Sequence, residues 1–406
     1  MPPASYSPSG MPDMADQAYA GSAITLSSAD YGEAEAAALA MVLQRNAQST
    51  GPLVPAFEQA FASWLGRKHA IAVSSSTIAC LLVLRAAGVG SGDSVIAPSY
   101  SWRHLAHAIH WSGAQPVLSE IDYWSQTLAA DKIEAALQRA PQARVKALLV
   151  NNTNGHPADW QALRTLARAQ QWLLIEDASE SIGSRYQGQL TGSFGDAAVF
   201  DFSQPSALCC GKAAMIVTDD DTLALKLRHY RQHGHDDQAS LSASLRPPLD
   251  AGISELTAAL GLIQLQRLPE ILAKRKLVEA WYQAQISSFE GIKPPYIAPG
   301  VDEVHWTLYC VHLGTRFSAS SRDAMVEDMS TELVEAAAYC RPLHLQRAYV
   351  EHYGMRKGHL LVTEKVADRA IALPFHGGLT EDQIAFIVKT AKDASINVGA
   401  GAAIYL

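Results

Sequence analysis

Residues 175–218 read IEDASESIGSRYQGQLTGSFGDAAVFDFSQPSALCCGKAAMIVT. They continue an apolar run that begins at Trp172 and ends on two acids, Glu176 and Asp177. Glycine-rich turns lead to a second apolar run at 197–202 (AAVFDF) and a third at 213–218 (AAMIVT). These are three strands of one sheet, and the acids stand at the carboxyl end of the first. In open α/β sheets that edge is where ligands bind.

Outward from this segment the chain alternates strand and helix. Upstream, HAIAVSS, VIAPSYSW, PVLSEID and KALLVNN read as strands. Between them lie helical segments such as 103–113 (RHLAHAIHWSG) and 160–170 (WQALRTLARAQ). Alternation of this kind predicts a mostly parallel, doubly wound α/β sheet. Residues 31–46 and VPAFEQAFASWLG predict two helices before the first strand, broken at Gly51 and Pro52. TLALKLRHYRQHG and the long 253–286 segment predict two more after the last. Near residue 290 the elements become shorter and mixed. The expected organisation is a disordered tail over 1–25, a large α/β domain over 26–289 and a smaller α+β domain over 290–406.

Composition bounds the function. The 406 residues are 48% hydrophobic and 18% charged, which is globular. A net charge of −8 argues against nucleic acid or an anionic membrane as partner. No run approaches the roughly 18 apolar residues of a membrane span. The N-terminal segment has no basic and apolar regions of a secretory signal, and the five cysteines lack metal-type spacing. A cytoplasmic protein with small buried thiols is the expectation.

The segment 175–218 resembles the cofactor core of the DegT/DnrJ/StrS sugar aminotransferases: IEDA, GSFGDAAVFDF, a turn, then an apolar strand ending in Thr and two Asp. Further blocks match in order, among them VIAPSYSWRHLAHAIHWSGAQPVLSEID, NGHPADW, RQHG, SELTAALGLIQLQRL, HWTLYCVHL, PLHLQRAY and ADRAIALPFHGGLTEDQI. The resemblance implies fold type I of the enzymes that use pyridoxal phosphate (PLP), with the active site completed across a homodimer interface.

PLP chemistry asks a protein for an anion site, an aromatic face, a carboxylate for the ring nitrogen and a lysine for the Schiff base. On the resemblance, Asp177 matches the ring-nitrogen partner, Trp102 the stacking aromatic and Thr77 a phosphate contact at a helix start. A turn-capping Asp and a core Trp are the structural alternatives. The lysine of F-S-F-x-x-x-K falls on Ser206, which cannot make the bond. Lys212, six residues on, is the substitute to weigh against a surface lysine. The phosphate contacts change as well: a family Ser falls on Asp201, a helix-turn Gly on Ser76, and the Asn and Arg reaching from the partner subunit fall on Asp250 and Gly252. At about 4 Å and an effective dielectric near 20, each unit-charge repulsion costs on the order of 4 kcal/mol. Glu180 and Ser181 replace a family Gln and His, and His344 matches a family histidine near the substrate entrance. His104, His107 and His110 recur at a spacing of three but lack ligand partners, so they read as partly buried helix residues. Cys209 and Cys210 read as inert.

These changes predict an enzyme of amino-sugar or secondary-metabolite biosynthesis that needs no cofactor and performs a non-transamination reaction on a small, amine-bearing molecule. Asp177, Glu180, Asp201, Ser206, Lys212 and His344 are its candidate catalytic groups; Ser76, Thr77, Trp102, Asp177 and Asp250 line the former cofactor site. One alternative is an enzyme that binds the aminated cofactor (PMP), or PLP, non-covalently, as in the family's sugar dehydratase branch. Another is a non-catalytic partner or regulatory subunit. The candidate acids, gathered in one cleft, predict at least one raised pKa.

Overall fold

The central sheet is built from short apolar runs that bury both faces, and it has seven strands in the order β1-β9-β8-β5-β4-β2-β3. The computed structural model describes residues 23–45, 48–49, 51–231, 249–286 and 291–403. Its strands are β1 (His69–Val73), β2 (Ser94–Pro98), β3 (Gln115–Ser119), β4 (Val145–Asn151), β5 (Leu173–Asp177), β8 (Ala197–Asp201) and β9 (Ala214–Thr218). A short hairpin, β6 (Arg185–Tyr186) and β7 (Gln189–Leu190), leaves the sheet after β5 and pairs outward with β11 (Val301–Glu303).

The pairs β3–β2–β4–β5–β8 are parallel, as the alternation predicts. Strand β9 instead runs antiparallel to both β8 and β1. The cause is the connection over 202–213, which contains no helix. Without a crossover the chain can only return antiparallel.

Helices cover both faces. On one, α3 (Ser76–Ala86), α4 (Arg103–Ser112) and α7 (Asp221–Arg231) pack Leu82, Ile109 and Leu227 against Val95, Leu149 and Ile216. On the other lie α2 (Leu53–Leu65), α5 (Ile133–Arg139), α6 (Trp160–Gln170) and the first half of α8 (Glu255–Ile286). There Phe61 meets Phe200 and Phe202 at ring distances of 5.0 and 5.4 Å. Helix α1 (Glu33–Leu43), shorter than the expected 31–46, seals Val42 against Ala259 of α8.

Helix α8 continues past Pro269 into a second core. There Tyr282 stacks on Tyr309 at 4.1 Å. A sheet in the order β10-β12-β14-β13 lies over it: β10 (Ile292–Lys293), β12 (Tyr309–Leu313), β13 (Ala337–Ala338) and β14 (Ala370–Leu373). It is flanked by α9 (Ala319–Thr331) and α12 (Glu381–Ala403), with α10 (Arg347–Tyr353) and α11 (Leu361–Ala367) between. The tail expected over 1–25 falls largely outside the described residues. Its end is a correction: Ile24 is buried in this second core and bridges Val334.

Candidate active site

The carboxyl ends of β1, β2, β5 and β8 emerge on one edge of the sheet, because β1 and β8 both run antiparallel to the strand between them. The loops that follow enclose a cavity of about 290 Å³. Ser76 enters from β1, Trp102, Arg103 and His104 from β2, Ser179 and Glu180 from β5, and Asp201, Ser203, Gln204 and Pro205 from β8. Thr307, just before β12, closes the far side.

Alternation along β5 splits its two terminal acids between different tasks. Glu176 is buried and accepts from the Gly192, Phe194 and Gly195 amides and from Asn152 Nδ2, at 2.6–3.3 Å. It ties the 191–195 turn to the strand, and burial raises its pKa despite those bonds. Asp177, 3% exposed, does not itself line the cavity but pairs with His104, which does. Its Oδ1 accepts from the Ser179 amide at 3.1 Å and its Oδ2 meets His104 Nε2 at 3.0 Å.

That pairing corrects the reading of His104 as an ordinary helix residue. It stands in the first turn of α4, two residues after Trp102, and lines the cavity. Burial works against its charged form, but the surrounding carboxylates, Asp177 first and then Asp201 and Glu180, together raise its pKa. The other two histidines of the helix stay outside the cavity: His107 stacks on Tyr349 and exposed His110 bonds the Tyr353 hydroxyl at 2.9 Å. No cluster of metal-ligating side chains occurs among the described residues.

Glu180 is the most constrained acid of the site. Its Oε1 accepts from Trp102 Nε1 at 2.6 Å, its Oε2 from the Asn154 amide at 3.0 Å, and the Tyr339 hydroxyl lies 2.8 Å from both oxygens. Burial drives its pKa up to about 7, and the three donors act against that rise. Glu180 therefore also fixes the indole of Trp102, whose ring meets Tyr339 edge-on at 5.7 Å.

At the other end of the cavity Asp201 holds two donors. The Ser76 hydroxyl donates to Oδ2 and the Ser203 amide to Oδ1 at 2.6 Å. Ser76 opens α3, whose cap is Ser75. Thr77 follows it in the first turn, half-buried and outside the cavity lining.

The remaining candidates are not brought into the cavity. Ser206 is 8% exposed and its hydroxyl has no hydrogen-bond partner among the described residues. It lies one residue beyond the last lining position, Pro205. Lys212 is exposed in the turn before β9 and does not line the cavity. His344 is a core residue: its Nδ1 meets Ser99 Oγ at 2.7 Å, its Nε2 meets Glu364 at 3.0 Å, and burial lowers its pKa. Asp250 is exposed outside the cavity, and the adjacent Ala251 carbonyl accepts from the Ser74 amide at 2.8 Å beside the end of β1. Cys209 and Cys210 are buried thiols whose pKa values burial raises. Sequence reasoning missed Tyr339, Asn154 and Thr307. Nothing local marks them, since each reaches Glu180 from a distant segment.

The chain is similar to a set of characterised proteins over most of its length. The model of the DegT/DnrJ/EryC1/StrS aminotransferase family matches residues 29–392. GDP-perosamine synthase of Caulobacter vibrioides is 34% identical over 83% of this chain and 88% of its own. The spore coat polysaccharide biosynthesis protein SpsC of Bacillus subtilis is 29% identical over 89% and 94%. DesV of S. venezuelae, solved with a ketimine intermediate, superposes with a TM-score of 0.80 at 30% identity over 89% and 94%. Spr1654 of Streptococcus pneumoniae, solved in a PLP form, superposes with 0.86 at 21% identity over 93% and 100%.

These matches overturn the expectation that the protein needs no cofactor, since the matching family is one of aminotransferases and DesV, at 30% identity, was solved with a ketimine intermediate. The residues present fit such a group unevenly. A buried carboxylate (Asp177) and an indole held in place (Trp102) suit its ring. The phosphate end does not fit, because the Asp201 carboxylate already takes the Ser76 and Ser203 donors. By the extent of its match to the family model and its identity to the perosamine enzyme, the chain belongs to the DegT/DnrJ/EryC1/StrS aminotransferase family.

Proposed function

We propose that this protein is a biosynthetic enzyme acting on a sugar or other amine-bearing small molecule, with the pyridoxal-type cofactor of its family held without a covalent link. The observation that carries this reading is the identity of the cleft residues. On the family resemblance Ser206 falls at the lysine position, and no lysine lines the cavity among the described residues. The nearest candidate in sequence, Lys212, is exposed in another turn. When bound, the cofactor supplies an electron sink that stabilises negative charge on the substrate carbon attached to it.

The chain's own groups set what else can happen. Trp102 offers a flat apolar face whose angle is locked by the bond from its indole to Glu180. Glu180, with a pKa of about 7, is present in both protonation states at neutral pH and can give or take a proton. His104, held by Asp177, is a second proton carrier in the lining of the same cavity. A cleft with these groups and no lysine would suit deoxygenation or amino exchange with an aminated pyridoxyl group held non-covalently better than ordinary lysine-shuttled transamination. A homodimer belongs to the same reading, with Asp250 exposed outside its own cavity and available to a neighbour.

The test is titration with PLP, PMP and pyridoxamine, followed by tryptophan fluorescence and then dialysis. Saturable quenching that Trp102→Ala abolishes, fully reversed by dialysis, is the expected result. Absence of binding by all three ligands would sink the cofactor reading.

A further inference from the structure

We propose that Asp201 is a resident anion that occupies the phosphate end of the cleft, so that the site selects unphosphorylated ligands over their phosphate esters. The geometry is specific. Asp201 is the last residue of β8, and its two oxygens face opposite partners: the hydroxyl of Ser76 at the start of α3, and the backbone amide of Ser203 two residues ahead. A helix start with a hydroxyl and a free-standing turn amide is the donor set that ordinarily receives a phosphate. Here a carboxylate belonging to the chain receives it.

A second observation points to a ligand in the same cavity. Ser179, 7% exposed, lines it, and its hydroxyl has no hydrogen-bond partner among the described residues. The cavity therefore keeps an unused polar group near Glu180 while the Ser76 hydroxyl and the Ser203 amide are already engaged by Asp201. A phosphate dianion entering there meets a like charge and must also break two existing bonds to a carboxylate. An uncharged or cationic ring-bearing amine meets neither obstacle.

The choice of probes, and nothing else, rests on the cofactor reading given above. Dissociation constants are measured for PMP, pyridoxamine and inorganic phosphate on the wild-type protein, on Asp201→Ser and on the isosteric Asp201→Asn. Thermal melts check that the variants fold, and the wild-type comparison needs no variant at all. The expected result is pyridoxamine binding to wild type at least as tightly as PMP. Asp201→Ser should then tighten PMP by about tenfold or more while moving pyridoxamine by less than about twofold. If neither ring compound binds but Asp201→Ser gains inorganic phosphate, the resident anion stands and the cofactor reading falls. Wild-type preference for PMP over pyridoxamine by about tenfold or more, or no gain of PMP or phosphate in either Asp201 variant, would overturn the proposal and leave the cofactor reading to its own test.

Discussion

Tyr339→Phe removes a single proton from the cleft and should be legible in one titration. The Tyr339 hydroxyl lies 2.8 Å from both Glu180 oxygens, yet it has one hydrogen, so the pair counts as one shared bond. A hydrogen bond to a charged acceptor is worth about 1.5–3 kcal/mol, against about 0.5–1.5 for a neutral one. Losing it therefore costs the carboxylate more than the protonated acid by about 1–1.5 kcal/mol, close to one pH unit. Glu180 should move from about 7 to roughly 8. The ring of Tyr339 stays in place in Phe, so its edge-on contact with Trp102 is kept. Carboxyl-stretch infrared difference spectra across pH 5 to 9, with Glu180→Gln as the blank, measure the shift. An unchanged midpoint, or one that falls, would mean that the hydroxyl does not hold the ionised form and that the hydrogen-bond reasoning is wrong.

Glu180 also makes stability depend on pH, with a sign opposite to that of most carboxylates. Its folded value of about 7 lies above the ordinary 4.5, so the folded form binds the proton more tightly. Its stabilising contribution is complete below about 4.5 and is lost as pH rises toward 7, by at most roughly 3 kcal/mol. Urea midpoints at pH 5 and pH 7.5 should diverge more for the wild type than for Glu180→Gln; equal divergence would remove Glu180 as the cause. At Gly155 the backbone has φ +99°, and an added Cβ would lie 2.3 Å from the His305 carbonyl oxygen. Gly155→Ala should cost about 3 kcal/mol or more by urea unfolding, from strain and overlap together, whereas a cost below about 1 kcal/mol would show that the 153–155 turn yields easily.

The parallel sheet and the carboxyl-end site could be read from apolar runs ending in polar turns, because a strand's length and its exit carry a local signal. Only Glu176 and Asp177, the acids that end β5, carry that signal themselves; Glu180, Trp102, Asp201 and Ser76 were named from the family resemblance. The antiparallel course of β9 was not, although the missing helix over 202–213 was visible. His104 was passed over because its spacing to His107 and His110 suggested one face of a helix, whereas only the residue nearest the strand end reaches Asp177. Lys212 and His344 were placed at the site by linear order, which says nothing of exposure or of the buried Ser99–His344–Glu364 chain. The cofactor expectation failed for a related reason. Repulsion at Asp201 bears on one end of the cleft only, whereas the family match spans residues 29–392. Tyr339 and Asn154 reach Glu180 across long sequence separations that no local pattern announces.

The central claim, a family cleft working without a covalent lysine, is tested most directly by borohydride reduction of the protein saturated with PLP, followed by peptide mass spectrometry. The account predicts no pyridoxyl group on any lysine and full loss of the cofactor on dialysis. A stoichiometric adduct on Lys212, or on any other lysine, would contradict it and return the protein to lysine-dependent transamination.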